Sequence, residues 1–184
     1  MSVAPAAFVR VCVTGPESTG KTTLARRLAE WLGTEWVPEA SRVYAERVRR
    51  ELLASDVVPI AREHIALVEA GEPMARAGGS RSIILDTDLV STAIYSRYYY
   101  GAVPRWVARQ ERERRADLYL LCAVDVPWVP DGIRDRPTDR EQMFARFDRA
   151  LKARRSRLVI ISGDWDTRWA IARSAVASLL EAGG

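Results

Sequence analysis

Residues 11 to 28 read VCVTGPESTGKTTLARRL. Gly15 is followed after four residues by Gly20, Lys21 and Thr22, the spacing of a loop that cradles phosphate groups. Glycines let the chain curl until successive backbone N–H groups point inward at an anion. A lysine directly after the loop can reach the outer phosphates, and the next hydroxyl can ligate Mg²⁺. Lys21 and Thr22 supply those groups. Gly15, Glu17, Ser18, Thr19, Gly20, Lys21, Thr22 and Thr23 form the predicted nucleotide-binding segment. The run FVRVCVTG before it reads as a buried strand, and KTTLARRLAEWL after it carries apolar residues at helical spacing. The phosphates would then meet a helix N-terminus, whose partial positive charge favours them.

Three other stretches carry chemistry. IILDTD ends an apolar run in Asp86 and Asp88. Strand alternation would put both on one side. Asp86 would share a Mg²⁺ ion with Thr22. Asp88 suits either a catalytic role or the capping of the next helix. VPEASR places Glu39 and Arg42 together. A carboxylate there can receive the proton of an attacking hydroxyl, and an arginine can hold a phosphate or an acceptor. The same two residues also suit an ion pair at a helix start. The stretch from Asp125 to Arg140 holds three prolines, four aspartates and three arginines in sixteen residues. It is too polar for core and too long for a turn. As a lid it would bring Arg134, Arg136 and Arg140 onto a transferred phosphoryl group, exclude water, and present Trp128 for stacking near Asp131. His64 is the sole histidine and reads as structural. One histidine and two cysteines leave no zinc site, and no Ser-His-Asp arrangement is visible.

These residues need a scaffold. Apolar runs 8–14, 34–39, 81–88, 118–125 and 157–163 read as strands. Between them lie helical patterns at 21–32, 41–55, 60–77, 89–115, 139–154 and 165–182, the fourth broken by Gly101 and Pro104, the third bracketed by Pro59 and Pro73. Strands alternating with helices, and strands apolar on both faces, predict a parallel five-stranded sheet covered on both sides, an α/β three-layer sandwich. Ligands in such sheets bind beyond the carboxyl ends of the strands, where the residues above lie. At 184 residues the chain is expected to be one domain. The N-terminus lacks a secretory pattern and no run is long enough to span a membrane, which predicts a cytoplasmic protein. Cys12 and Cys122 read as buried hydrophobes. The net charge of +4 is almost all arginine, and its densest cluster, RQERERRAD, is interleaved with acids. That is a solvated, salt-bridged face and no argument for nucleic acid. A homo-oligomer is compatible with all of this.

Taken together, GPESTGKTTLA, PEASR, DTDLVSTAIYSRYYYG and DVPWVPDGIRDRP resemble the ribosylnicotinamide kinase domain of NadR-type proteins, along nearly the whole chain. The resemblance implies a P-loop fold like thymidylate and deoxynucleoside kinases, with a lid at about 125–140. It implies ATP and Mg²⁺ as cofactors and phosphorylation of the 5′-hydroxyl of nicotinamide riboside, giving nicotinamide mononucleotide in NAD salvage. A nucleoside or nucleoside monophosphate as acceptor, or a P-loop NTPase switch, are the alternatives. Lys21, Glu39, Asp88, Arg134 and Arg136 are then the candidate catalytic residues. Glu39, Arg42, Asp88, Tyr95, Trp128 and Asp131 are candidates for the substrate, and Thr22 and Asp86 for the metal. The second-strand motif departs from the family's E-Y-A-R, with E-A-S-R here and Tyr44 close by. Residues 1–10 are too short for the helix-turn-helix domain of larger family members. One histidine cannot supply their adenylyltransferase pair, so a kinase unit alone is expected.

Overall fold

The computed structural model describes residues 7–126 and 139–182. Each apolar run becomes a strand, shorter than the run itself: β1 Val9–Thr14, β2 Trp36–Val37, β3 Ser82–Asp86, β4 Leu118–Cys122 and β5 Leu158–Ile161. The polar residues at the runs' ends leave the sheet and form the loops of the site. All neighbours pair in parallel, in the order β2-β3-β1-β4-β5. Val11, at the centre, is in register with Ile84 on one side and Leu118 on the other.

Among the described residues six helices lie between the strands, α1 Lys21–Leu32, α2 Ala40–Val48, α3 Val57–Ala77, α4 Leu89–Tyr100, α5 Arg105–Glu113 and α6 Arg140–Ala153, and α7 Trp165–Ala182 follows the last. They divide between the two faces by strand alternation. Val9, Val11 and Val13 of β1 pack with Leu24, Ala25 and Leu28 of α1 and with Ala172 and Val176 of α7. Cys12, pointing the other way, joins Val68 of α3, Val90 and Ile94 of α4, and Met143, Phe147 and Leu151 of α6. All five residues of β3 and of β4 are buried, as a strand covered on both faces must be. Both cysteines are free and buried, and burial holds their thiols above the ordinary range. No helix among the described residues is long and apolar enough to cross a membrane.

Three local expectations change. The helix expected over 41–55 ends at Val48, because Arg49 takes a left-handed turn (φ 52°). Beyond it Asp56 draws the chain into a short 3₁₀ turn over Ala54–Asp56. Its carboxylate accepts from the Leu53 backbone N–H and from both Nη atoms of Arg50. The next helix therefore starts at Val57, with Pro59 in its first turn, where a missing N–H costs nothing. Pro73 lies inside α3 and does not end it: α3 runs to Ala77, held by Val68 and Ala75 in the core.

Candidate active site

The phosphate loop leaves the central strand and turns directly into α1. Gly20 is the N-cap of α1 at φ 79°, and the first turn carries no acidic residue. Only glycine fits at two of its positions. A Cβ on Gly15 (φ 134°) would lie 2.8 Å from the Cys122 carbonyl oxygen, and one on Gly20 would lie 2.2 Å from the indole of Trp165. Ser18 adopts φ 51°, a left-handed conformation uncommon outside glycine. Within the loop, Thr19 Oγ1 donates to the Pro16 carbonyl at 2.7 Å, and Lys21 Nζ, nearly buried, donates to the same oxygen at 2.7 Å. Thr23 is exposed on the first turn of α1.

Asp86 closes the inner wall. Thr22 Oγ1 donates to Asp86 Oδ2 at 2.6 Å, joining the two residues expected to share a metal. Asp86 Oδ1 is buried with no hydrogen-bond partner. Burial above all, with the Glu39 carboxylate adding to it, raises the Asp86 carboxyl to about 6. A buried acid with one oxygen unmatched is a site that a cation completes. The residues thus fit Mg²⁺ held by Thr22 and Asp86, with the remaining positions left to phosphate and water. No cluster of three or more His, Cys, Asp or Glu able to hold a metal exists among the described residues, so an ion here must share its shell with a ligand.

Asp86 and Asp88 do not lie on one side, contrary to strand alternation. The strand stops at Asp86, and Thr87 turns left-handed at φ 66° with its N–H on the Val13 carbonyl. Asp88 is thereby swung away to cap α4. Its Oδ1 accepts from the N–H groups of Val90 (2.9 Å) and Ser91 (3.4 Å), and its Oδ2 from the Tyr119 hydroxyl at 2.6 Å. Burial raises Asp88 to about 6 against those three bonds. A β-branched residue at positive φ is a strained position of the kind found where chains are bent for function.

Beside this wall opens a cleft of about 530 Å³. Glu39, Ser41, Asp88, Ser91 and Thr92 line it together with Tyr95, Tyr99 and Tyr100, and the buried Ile60 and His64 also face it. Tyr95 and Tyr99 stack, centroids 6.0 Å apart and planes 11° from parallel. Glu39 is held by the Ser41 hydroxyl at 2.6 Å and lies 4.0 Å from Arg42, so the helix-start ion pair and a place in the cleft coexist. Arg42 itself does not line the cleft. Burial, with Arg10 and Arg114 nearby, lowers His64 to about 4, so it is neutral at physiological pH. No lysine or arginine lines this cleft among the described residues.

Trp128, Asp131, Arg134 and Arg136 lie outside the described residues. Arg140, expected on the transferred phosphate, is committed elsewhere: its Nη2 donates to the carbonyls of Ser18 and Val126, both at 3.1 Å. Several residues of the site carry little signal in the sequence. Tyr99 and Tyr100 follow Tyr95 on α4 without a distinguishing spacing. Tyr119 is hidden in an apolar run, and Trp165 and Arg168 sit in the tail segment SGDWDTR. The only signal for Arg168 is an arginine near the carboxyl end of the fifth strand.

The match to known proteins agrees with this layout. Residues 10–168 match the AAA domain family. The chain belongs to that family. Among curated proteins, this AAA domain is 33% identical to the trifunctional NAD biosynthesis/regulator protein NadR of Escherichia coli K12 and, equally, to that of Salmonella typhimurium LT2, over 69% of its own length. It spans about a third of each of those relatives (31%). Among solved structures, it superposes on a NadR protein in complex with NR at a TM-score of 0.74 and 25% identity, covering 95% of this chain and 52% of that one. The thymidylate kinase of Ehrlichia chaffeensis, at 0.66 and 18%, covers 94% of this chain and 99% of that one and shares the fold. A NadR protein in complex with NAD and AMP-PNP superposes at 0.73 and 23%, over 95% of this chain and 50% of that one. The AAA domain here is therefore a NadR-like P-loop unit with a kinase-type fold.

Proposed function

We propose that the protein is an ATP-dependent kinase that phosphorylates the 5′-hydroxyl of nicotinamide riboside. The observation that carries the acceptor class is the lining of the 530 Å³ cleft: carboxylates, hydroxyls and tyrosine faces, with no cationic side chain among the described residues. A nucleoside monophosphate brings a doubly charged group that needs arginine or lysine to meet it. A nucleoside does not. A pyridinium ring gains more than a neutral base, because tyrosine faces and the Glu39 carboxylate both favour a cation. The NadR structure in complex with NR supports the same acceptor, and the one in complex with NAD and AMP-PNP supports an adenine nucleotide as donor.

In this reading the loop from Gly15 to Thr22 binds the phosphates, with Lys21 swinging from the Pro16 carbonyl onto them. Thr22 and Asp86 hold Mg²⁺, which supplies neutralisation of phosphate charge. Glu39 accepts the proton of the attacking hydroxyl. It lines the cleft, and its closeness to Asp86 adds to the rise in that acid's pKa. Asp88 is spent on capping α4 and on Tyr119, so we assign it to shaping the cleft rather than to proton transfer. Tyr95, with Tyr99, takes the ring. Arg134, Arg136, Trp128 and Asp131 keep their roles by family likeness alone.

The test is ADP release with nicotinamide riboside, uridine, thymidine and thymidine monophosphate as acceptors. Nicotinamide riboside should give the highest kcat/KM. Preference for the monophosphate would refute the argument from the cleft lining, and ATP hydrolysis indifferent to every acceptor would refute the kinase reading.

A further inference from the structure

Two arginines act on the phosphate loop from behind. Arg168, in the first turn of α7, is 1% exposed. Its Nε donates to the Gly163 carbonyl at 2.9 Å, its Nη1 to the Thr19 carbonyl at 3.1 Å, and its Nη2 to the Ala123 carbonyl at 3.0 Å and to Asp125 Oδ1. Arg140, the first residue of α6, holds the Ser18 carbonyl and that of Val126. The carbonyls of two consecutive loop residues are thus each gripped by a guanidinium from outside the loop.

Peptide planarity gives that grip a consequence. The carbonyl of one residue and the N–H of the next lie in one plane and point in opposite directions. Drawing the Ser18 and Thr19 oxygens outward turns the N–H groups of Thr19 and Gly20 inward, to the side where an anion would sit. A carbonyl bonded to a cation also polarises its own peptide unit, so its N–H becomes a stronger donor. Charge adds to geometry. The protonated form of Arg140 is disfavoured first by burial and then by Arg168, so the two guanidiniums feel each other. Asp125 is the carboxylate paired with Arg168. Burial works against its ionisation, yet the Gly163 N–H and Arg168 hold it below its ordinary range, so it stays charged. Asp125 thus holds the Arg168 guanidinium in place against the Thr19 carbonyl.

We infer that Arg140 and Arg168 are positioning residues that keep the Thr19 and Gly20 amides aimed at a bound nucleotide's phosphates. The inference rests on reading the loop as the nucleotide site. Neither guanidinium is asked to touch phosphate.

Calorimetric titration of wild type, Arg140→Gln, Arg168→Lys and Arg168→Gln with ATP, adenosine and nicotinamide riboside tests it. Loss of one charge-assisted grip should raise the ATP Kd by about tenfold. Adenosine, which has no phosphates, should bind each variant as it binds wild type, and nicotinamide riboside within about twofold. Arg168→Lys should not rescue, since one ammonium cannot span carbonyls on three separate segments. ATP affinity unchanged in Arg140→Gln would overturn the inference. So would an equal loss for all three ligands, which marks a general structural brace. Should the Arg168 variants fail to fold, Arg140→Gln decides, because Arg140 is only partly buried at a helix start. A wild type that binds nicotinamide riboside but not ATP would overturn the nucleotide reading and this inference with it.

Discussion

Asp86→Asn should gain stability relative to wild type as the pH rises from 5 to 8. Asp86 is 1% exposed, and its carboxyl is raised from 3.8 to about 6, mainly by burial. The sign is set by which state binds the proton. Between pH 4 and 6 the folded protein keeps a proton that the unfolded chain has released, so stability falls as pH rises through that window. Above 6 the full cost of a buried charge is present. The rise from 3.8 to about 6 is worth about 3 kcal/mol, of which about 1.4 kcal/mol accrues between pH 5 and pH 8. Asparagine carries no charge and lacks that dependence. It also puts an amide N–H where the unmatched Oδ1 lay, at a cost of about 1–3 kcal/mol, but that cost is the same at every pH. The quantity to measure is therefore the difference in ΔTm between the two pH values. In a chain of this size 1 kcal/mol moves Tm by about 2–4 °C. Differential scanning calorimetry should show the Asn variant gaining about 3–6 °C on wild type in going from pH 5 to pH 8. A pH-independent difference, or one that grows toward acid, would refute the claim that a costly buried charge is held here for a cation.

Gly20→Ala should lower Tm, since a non-glycine left-handed residue costs about 1–2 kcal/mol and its Cβ meets Trp165, so a thermal melt should shift while Trp165 fluorescence changes. An unshifted melt would show that the loop relaxes freely. Glu39→Gln should cut kcat by about 100-fold or more and leave the ATP Kd within about threefold; losses of equal size in both would make Glu39 structural. Asp88→Asn can still accept from Val90 and Ser91 but loses the bond from the Tyr119 hydroxyl, so it should melt lower than wild type yet keep most of its turnover. A defect larger than that of Glu39→Gln in steady-state assays would move the base role to Asp88.

Strand and helix order were legible because each apolar run was long and each helical pattern periodic. The phosphate loop was legible because its spacing fixes its conformation. The failures lie where hydrogen bonds outside the regular ladders bend or brace the chain. Arg49 ends α2 without a glycine because Asp56 and Arg50 organise the turn beyond it. The Asp86–Asp88 alternation breaks at Thr87, whose left-handed turn no local propensity announces. The tyrosine wall depends on how α4 packs, and the grip of Arg140 and Arg168 on the loop depends on carbonyls far away in sequence. Periodicity reports which face of an element is buried. It cannot report which distant backbone oxygen a long polar side chain will find.

The strand order also sets a timetable for assembly. β1 carries the phosphate loop, yet Val9 pairs with Ser82 and Val11 with Leu118, so the first strand made waits for both of its neighbours. During synthesis its unpaired edges stay open until the middle of the chain has emerged. The loop, whose glycines are fitted against Cys122 and Trp165, closes only after the last strand is in place. Pairings this remote in sequence slow folding, because loop-closure entropy is lost before any ladder forms. In refolding, nucleotide-binding competence should therefore be among the last properties to return, after helical circular dichroism has recovered.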